Sequence, residues 1–248
     1  MDLSTDSLAI IFLALVAGSF VKGISGLGLP LTAIPVMAAF MPVEKAVAVM
    51  VIPSILINLY LLIVYRRHAV KLDNIVTLYI AGIAGVITGA ILLSAVPNWY
   101  LVLFMVLWLG AYLFSVLTKR KLRIPDGLSR HNALAIVGIG GLVQGAVGTS
   151  GPVITPYVHS LKLTQPQFVY AMSVLFQIFA ITQLISFIML GLIDQERAWE
   201  SALACIPIAI FLPIAVWLSK FFSQRSFEII VMTLLGIIEI RLIMRLFE

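Results

Sequence analysis

Apolar positions in this chain run in long unbroken blocks, and polar positions are confined to short intervals between them. Uncharged blocks occupy residues 46–65, 75–96, 99–117, 167–193 and 201–219. A helix needs about 20 apolar residues to cross a hydrocarbon layer of about 30 Å, so each block predicts a membrane-spanning helix. A last segment, 226–247, is apolar in its middle but carries Glu228, Glu239, Arg241 and Arg245. Two further regions, 7–21 and 132–147, are apolar but short. Each is followed by a glycine-rich interruption and then a shorter apolar piece, at 31–41 and 152–161. Glycine and proline punctuate helices, and proline is tolerated in the first turn of a new one. The pattern therefore predicts two broken helices, interrupted at "VKGISGLGLPLTAIP" (21–35) and "VQGAVGTSGPVITP" (143–156).

The two interruptions align at a constant offset of 122. Gly18 matches Gly140, Val21 matches Val143, Gly23 matches Gly145, Gly26 matches Gly148 and Pro30 matches Pro152. The register continues beyond the break, pairing Val47 with Val169 and Met50 with Met172. Glycine and proline are uncommon enough here for their coincidence to point to an internal duplication. Residues 1–121 form one membrane repeat and 130–248 the other. Residues 122–129, within the polar stretch "TKRKLRIPDGLSRHN", form a basic linker between them.

Two topologies fit this pattern. If each broken region crosses the membrane, the chain has eight spans and the repeats run parallel. If each is a re-entrant hairpin, each half has about three further spanning helices, the repeats are inverted, and both termini lie outside. The positive-inside rule does not separate the two. With Lys22 in the break left out of the count, hairpins place eleven Lys and Arg residues inside and leave Lys45, Arg197, Arg241 and Arg245 outside. Eight spans exchange Lys162, Lys220 and Arg225 for Arg197, Arg241 and Arg245, again eleven against four. In both, the 66–71 loop and the linker are cytoplasmic. The short arms favour hairpins.

Composition narrows the class. The 248 residues are 62% hydrophobic and 11% charged, with mean hydropathy +1.13, where a soluble domain carries about 25% charged residues. The fold class is an all-α integral membrane protein, since the short alternating segments of a barrel are missing. It is expected in the cell (plasma or inner) membrane, crossing it several times. The opening "MDLSTDSL" has no basic residue and does not resemble a secretory signal. Cys205 is the single cysteine, which argues against a disulfide or cysteine-based metal site. The net charge of +5 sits in loops between apolar blocks, as topology requires, and does not indicate nucleic acid. No cofactor is expected, and the partners are a small anion and the lipid bilayer, with homo-oligomerisation left open.

The candidate chemistry lies at the breaks. Interrupting a helix in lipid frees backbone groups that only protein or a water-lined cavity can satisfy. Two facing breaks would aim the N-termini of the helices beginning at Pro30 and Pro152 into a shared cavity. A helix N-terminus offers N–H donors and partial positive charge, which suit an anion. Discontinuous helices in corresponding positions of two halves are the best sequence pointer to a transporter's site. The glycines Gly23, Gly26, Gly28, Gly145, Gly148 and Gly151 allow close approach of backbone to ligand, and Ser25, Thr149 and Ser150 add hydroxyls. Lys22 and Gln144 occupy equivalent positions before the breaks, and a lysine at that depth is a functional candidate unless it snorkels to the interface. Asn58 and Gln177 are isolated polar residues in the helices that follow, read first as interhelical hydrogen-bond partners and second as ligand contacts.

The stretches Gly23-Ile24-Ser25-Gly26-Leu27-Gly28-Leu29-Pro30 and Gly145-Ala146-Val147-Gly148-Thr149-Ser150-Gly151-Pro152, with "GLID" at Gly191 to Asp194, give a chain that resembles the sulfite exporter TauE/SafE family of membrane transporters. The resemblance extends over the chain in length and segment order. It implies secondary transport of sulfite, an organosulfonate, or another sulfur-containing or carboxylate anion, and no enzyme activity. The family often carries a polar, lysine-containing stretch after the first break. Here "AVAVMVIPSILIN" (46–58) is apolar apart from Ser54 and Asn58, which leaves Lys22 to supply the charge.

Two other classes compete. A passive anion channel fits the composition, although no filter-like repeat is present. An intramembrane serine protease would use Ser150 in Gly148-Thr149-Ser150-Gly151, but such enzymes take their base from a later helix, and no histidine follows His159. His159 and His131 read as loop or interface residues. The spans hold almost no carboxylate except Glu239, so the expected driving force is the anion's own gradient together with the membrane potential.

Overall fold

Backbone polar groups in apolar surroundings must bond to one another, and a single apolar run achieves this only as a helix. The computed structural model describes residues 5–25, 28–70, 75–118, 130–218 and 224–247. Among them are twelve α-helices, one 3₁₀ turn and no strand. The first part holds α1 (Thr5–Ser25), α2 (Leu29–Ala38), α3 (Val43–Val49), α4 (Val51–Tyr65), the 3₁₀ turn Arg66–His68, α5 (Ile75–Ala95) and α6 (Asn98–Leu117). After the linker, which lies outside the described residues, come α7 (Arg130–Val147), α8 (Gly151–Ser160), α9 (Gln165–Met189), α10 (Gln195–Leu203), α11 (Cys205–Leu218) and α12 (Gln224–Arg245). Five segments are long and apolar enough to cross a membrane: Val43–His68, Ile75–Ala95, Asn98–Leu117, Gln165–Met189 and Gln195–Ala215.

Both broken regions fold back on themselves. A Cβ added to Gly18 of α1 would lie 3.1 Å from the Cβ of Ala33 in α2. One added to Gly140 of α7 would strike the Ile154 side chain of α8. Such contacts require the second arm to return along the first.

The closest helix pair is α5 against α7. A Cβ on Gly85 would strike the Gly138 carbonyl, on Gly89 the Leu142 carbonyl, on Gly141 the Gly82 carbonyl and on Gly145 the Val86 carbonyl. Small residues let two backbones touch in this way, which is how helices associate where no hydrophobic drive exists between them. The second close pair is α1 against α11.

Two of the blocks read from sequence as unbroken are bent. The α3–α4 break at Met50 and the α10–α11 break at Ala204 each fall three residues before a proline, Pro53 and Pro207. Proline lacks an N–H and its ring excludes the carbonyl four residues back. At the first bend that carbonyl is Val49 O, and Ser201 Oγ of α10 donates to it at 2.8 Å. The same hydroxyl accepts from Ile52 N at 3.3 Å. "GLID" is a stop followed by a start. Gly191, at φ +69, closes α9 with Leu192 N donating to Phe187 O at 2.9 Å, and Asp194 caps α10 by accepting from Arg197 N at 2.8 Å.

Polar contacts tie one end of the bundle. Lys45 pairs with the fully buried Glu200 at 2.7 Å, and Arg197 with Glu44 at 2.6 Å. Arg245 donates to Ala38 O, and to Met41 O at 2.6 Å, capping α2. Trp99 Nε1 donates to Leu246 O at 3.0 Å. At the other end Val70, Leu78 and Tyr79 meet Tyr157 of α8 and Tyr170 and Leu175 of α9 around a cavity of about 200 Å³.

Candidate functional site

The second break is the more fully described. α7 ends at Val147, and Gly148 takes φ +72, a left-handed conformation that glycine adopts without strain. Its N–H donates to Gln144 O at 2.8 Å. α8 then begins at Gly151 with Pro152 in its first turn, where a missing N–H costs nothing. The Val153 and Ile154 N–H groups bond back to Ser150 O, both at 3.1 Å.

A buried hydrogen-bond network holds this turn. Ser150 Oγ donates to Gln144 Oε1 at 2.8 Å, and Ser150 N reaches the same oxygen at 3.3 Å. Gln144 Nε2 donates to Gln183 Oε1 of α9 at 3.1 Å, and Gln183 Nε2 donates to Gln144 O at 2.8 Å. Trp108 Nε1 of α6 donates to Thr149 Oγ1 at 3.0 Å. Networks whose members are all satisfied fix one geometry, because each partner alone would be costly to bury. Gly151 differs from its neighbours: a Cβ there would meet nothing within 4 Å, so the start of α8 faces open space.

At the first break, Lys22, Gly23 and Ser25 fall in the last turn of α1, and Gly26 lies outside the described residues. Gly28 caps α2 with backbone alone: Leu31 N donates to Gly28 O at 3.0 Å, and Pro30 stands in the first turn. A Cβ on Gly28 would meet only the Pro30 ring, at 3.8 Å. Lys22 is half-buried and has no hydrogen bond or ion pair among the described residues.

The structure brings the first hairpin against the second break. A Cβ on Gly148 would strike Ile34 of α2 and lie 3.3 Å from Val47 of α3. Gly145, by contrast, serves the α5–α7 seam. Asn58 of α4 is buried and Gln177 of α9 half-buried, with Gln177 Oε1 unpartnered. Neither makes a hydrogen bond among the described residues. Two residues of the network escaped the sequence reading. Gln183 carries the same signal as Asn58 and Gln177, an amide within an apolar helix. Trp108 stands in mid-helix, away from the interfacial belt where tryptophan is usual.

The Ser150 hydroxyl is committed to Gln144. His159 is exposed at the far end of α8, with its ring stacked on Phe168 at 4.4 Å between centroids. Ser150 and His159 therefore form no nucleophile–base pair. Among the described residues no group of three His, Cys, Asp or Glu side chains is placed to hold a metal.

Compared with families of known proteins, residues 10–242 match the family described as Sulfite exporter TauE/SafE. No curated protein and no solved structure matches the chain.

Proposed function

The chain belongs to the sulfite exporter TauE/SafE family, and on that premise we propose that it exports a sulfur-containing or carboxylate anion bound between the tips of its two helical hairpins. As a member it is a multi-pass membrane transporter of anions and not an enzyme. The observation that carries the proposed site is the second tip. There the N-terminus of α8 is held by the Gln144–Ser150–Gln183 network, opens onto free space at Gly151, and lies against α2 of the first hairpin.

In this reading the N–H groups of Leu29 and Gly151, the first of their helices, point at the anion and the helix dipoles favour its charge. Lys22 adds a full positive charge from the first hairpin. Gly23, Ser25, Gly28 and Pro30 on one side, and Gly148, Thr149, Gly151 and Pro152 on the other, shape the backbone around it.

The inverted topology is part of the same proposal. Its support is that Lys45, Arg197 and Arg245 share one end of the bundle through their bonds to Glu200, Glu44 and Met41 O. An eight-span arrangement would put Lys45 across the membrane from the other two. The duplication is supported by reciprocal packing, α5 on α7 and α1 on α11.

The test is a thermal-shift panel on purified protein with sulfite, sulfate, thiosulfate, taurine, sulfoacetate and carboxylates. A true ligand at a hundredfold excess over its Kd stabilises by about 2.7 kcal/mol. We expect a sulfur-containing anion to stabilise wild type and to lose most of that effect in Lys22→Ala. Equal stabilisation of both proteins by every anion would remove Lys22 and the tip site from consideration.

A further inference from the structure

We propose that Glu239 is a proton-binding group that couples anion movement to a pH difference across the membrane. α12 packs on α6, α2 and α1. The Glu239 carboxylate points at α6, where a Cβ on Gly110 would lie 3.1 Å from Glu239 Oε1. Its Oε2 is buried and unpartnered. No hydrogen bond or ion pair involves Glu239 among the described residues.

The surroundings offer little to neutralise it. α6 and α2 contain no charged residue. The titratable groups on the packed helices are Tyr100 and Tyr112 of α6, Asp6 and Lys22 of α1, and Arg225, Glu228, Arg241 and Arg245 of α12 itself. Arg245 is taken by the Ala38 and Met41 carbonyls. A carboxylate kept inside a membrane without a cation is a functional group by default, because a structural one would be paired.

Glu239 also has a route to the anion. Gly110 follows Trp108 by two residues on α6, and residues two apart face different sides of a helix. Trp108 donates to Thr149 in the second tip, so Glu239 and the tip flank the same helix. Across a helix of ~12 Å diameter, at an effective dielectric constant of about 20, two negative charges disfavour each other by about tenfold. The ionised carboxylate opposes a bound anion and the acid does not, so anion and proton bind together. In the loaded state an O–H bond forms at the carboxylate with a proton taken from water on one side. That bond breaks when the proton passes to water on the other. Arg245, at the polar end of the bundle, is six residues away, about 9 Å along the helix.

This inference rests on the proposed anion site, and the experiment separates the two. Protein in liposomes is assayed for anion-for-anion exchange and for net flux driven by an imposed pH difference, in wild type, Glu239→Gln and Glu239→Asp. We expect Glu239→Gln to keep exchange, to lose the response to pH, and to bind anion at alkaline pH about tenfold more tightly than wild type; Glu239→Asp should retain the response. A pH response in Glu239→Gln equal to that of wild type overturns the coupling and leaves the anion site standing. So does loss of exchange and pH response together in a folded Glu239→Gln protein. Absence of exchange and binding in wild type overturns the anion site and this inference with it. Calorimetry of anion binding to wild type, in two buffers of different ionisation enthalpy, does not depend on any variant folding. Proton uptake on binding supports the coupling, and none overturns it.

Discussion

At the scale of single residues, the second tip depends on Gly148 more than on any polar group. Its φ of +72 excludes ordinary side chains without strain, and a Cβ would also strike Ile34. Left-handed strain for a non-glycine residue costs about 1–3 kcal/mol, and overpacking a filled core adds about 1–3 kcal/mol. Gly148→Ala should therefore lower the unfolding midpoint and weaken anion stabilisation together. Adding Ile34→Val should recover the overpacking part and leave the strain. No recovery in the double variant would show that Ile34 is not what the tip rests on. The importance of this glycine could be read from the alignment of Gly26 with Gly148, since a repeated glycine at a helix end signals a backbone need. The bonds that hold Gln144 and Ser150 could not. Both read as ligand contacts because polar residues in apolar helices are scarce, yet their nearest partners are each other and Gln183. A hydrogen bond between helices 39 positions apart has no local signature.

At the scale of elements, hydropathy located the helices but not their bends. Residues 46–65 and 201–219 are equally greasy on both sides of Met50 and Ala204, and greasiness carries no record of backbone geometry. Pro53 and Pro207 were visible, but a proline within the first turn of a helix is also an ordinary start. Only the tertiary partner decides. At the α3–α4 bend, Ser201 supplies the donor that Pro53 lacks. Ser201→Ala should leave Val49 O buried and unpaired, at a cost of about 1–3 kcal/mol. Pro53→Ala offers the helix its own N–H for that carbonyl. The double variant should therefore be less destabilised than the sum of the two single changes, by about 0.5–3 kcal/mol of coupling. Simple additivity, measured by thermal or denaturant unfolding in detergent, would mean that the serine does not substitute for the missing donor.

For the whole molecule, charge counting scores the two topologies alike, and the proposed inverted one draws on packing instead. Eleven basic residues against four is the score of either topology, because the rule sums charges without knowing which loops meet. The structure joins Lys45 to Glu200 and Glu44 to Arg197, groups separated by more than 150 positions in the chain. Burying Glu200 completely beside a single lysine is stable only with the pair intact, since removing one partner of a buried pair typically costs about 3–5 kcal/mol. The start of α3 and α10 are therefore held together at one end, and the 66–70 segment joins the starts of α5 and α9 at the other. That arrangement is testable without a substrate. In a Cys205→Ser background, single cysteines replace Arg67, Gln165 and Gln195, all exposed. With inverted repeats, a membrane-impermeant thiol reagent applied to intact cells labels the cysteine at position 195 and spares those at 67 and 165. Permeabilised cells label all three. In the eight-span arrangement α9 begins outside, so position 165 would label in intact cells and position 195 would not. That pattern would reverse the second half and dismantle the facing pair of hairpin tips on which the proposed anion site depends.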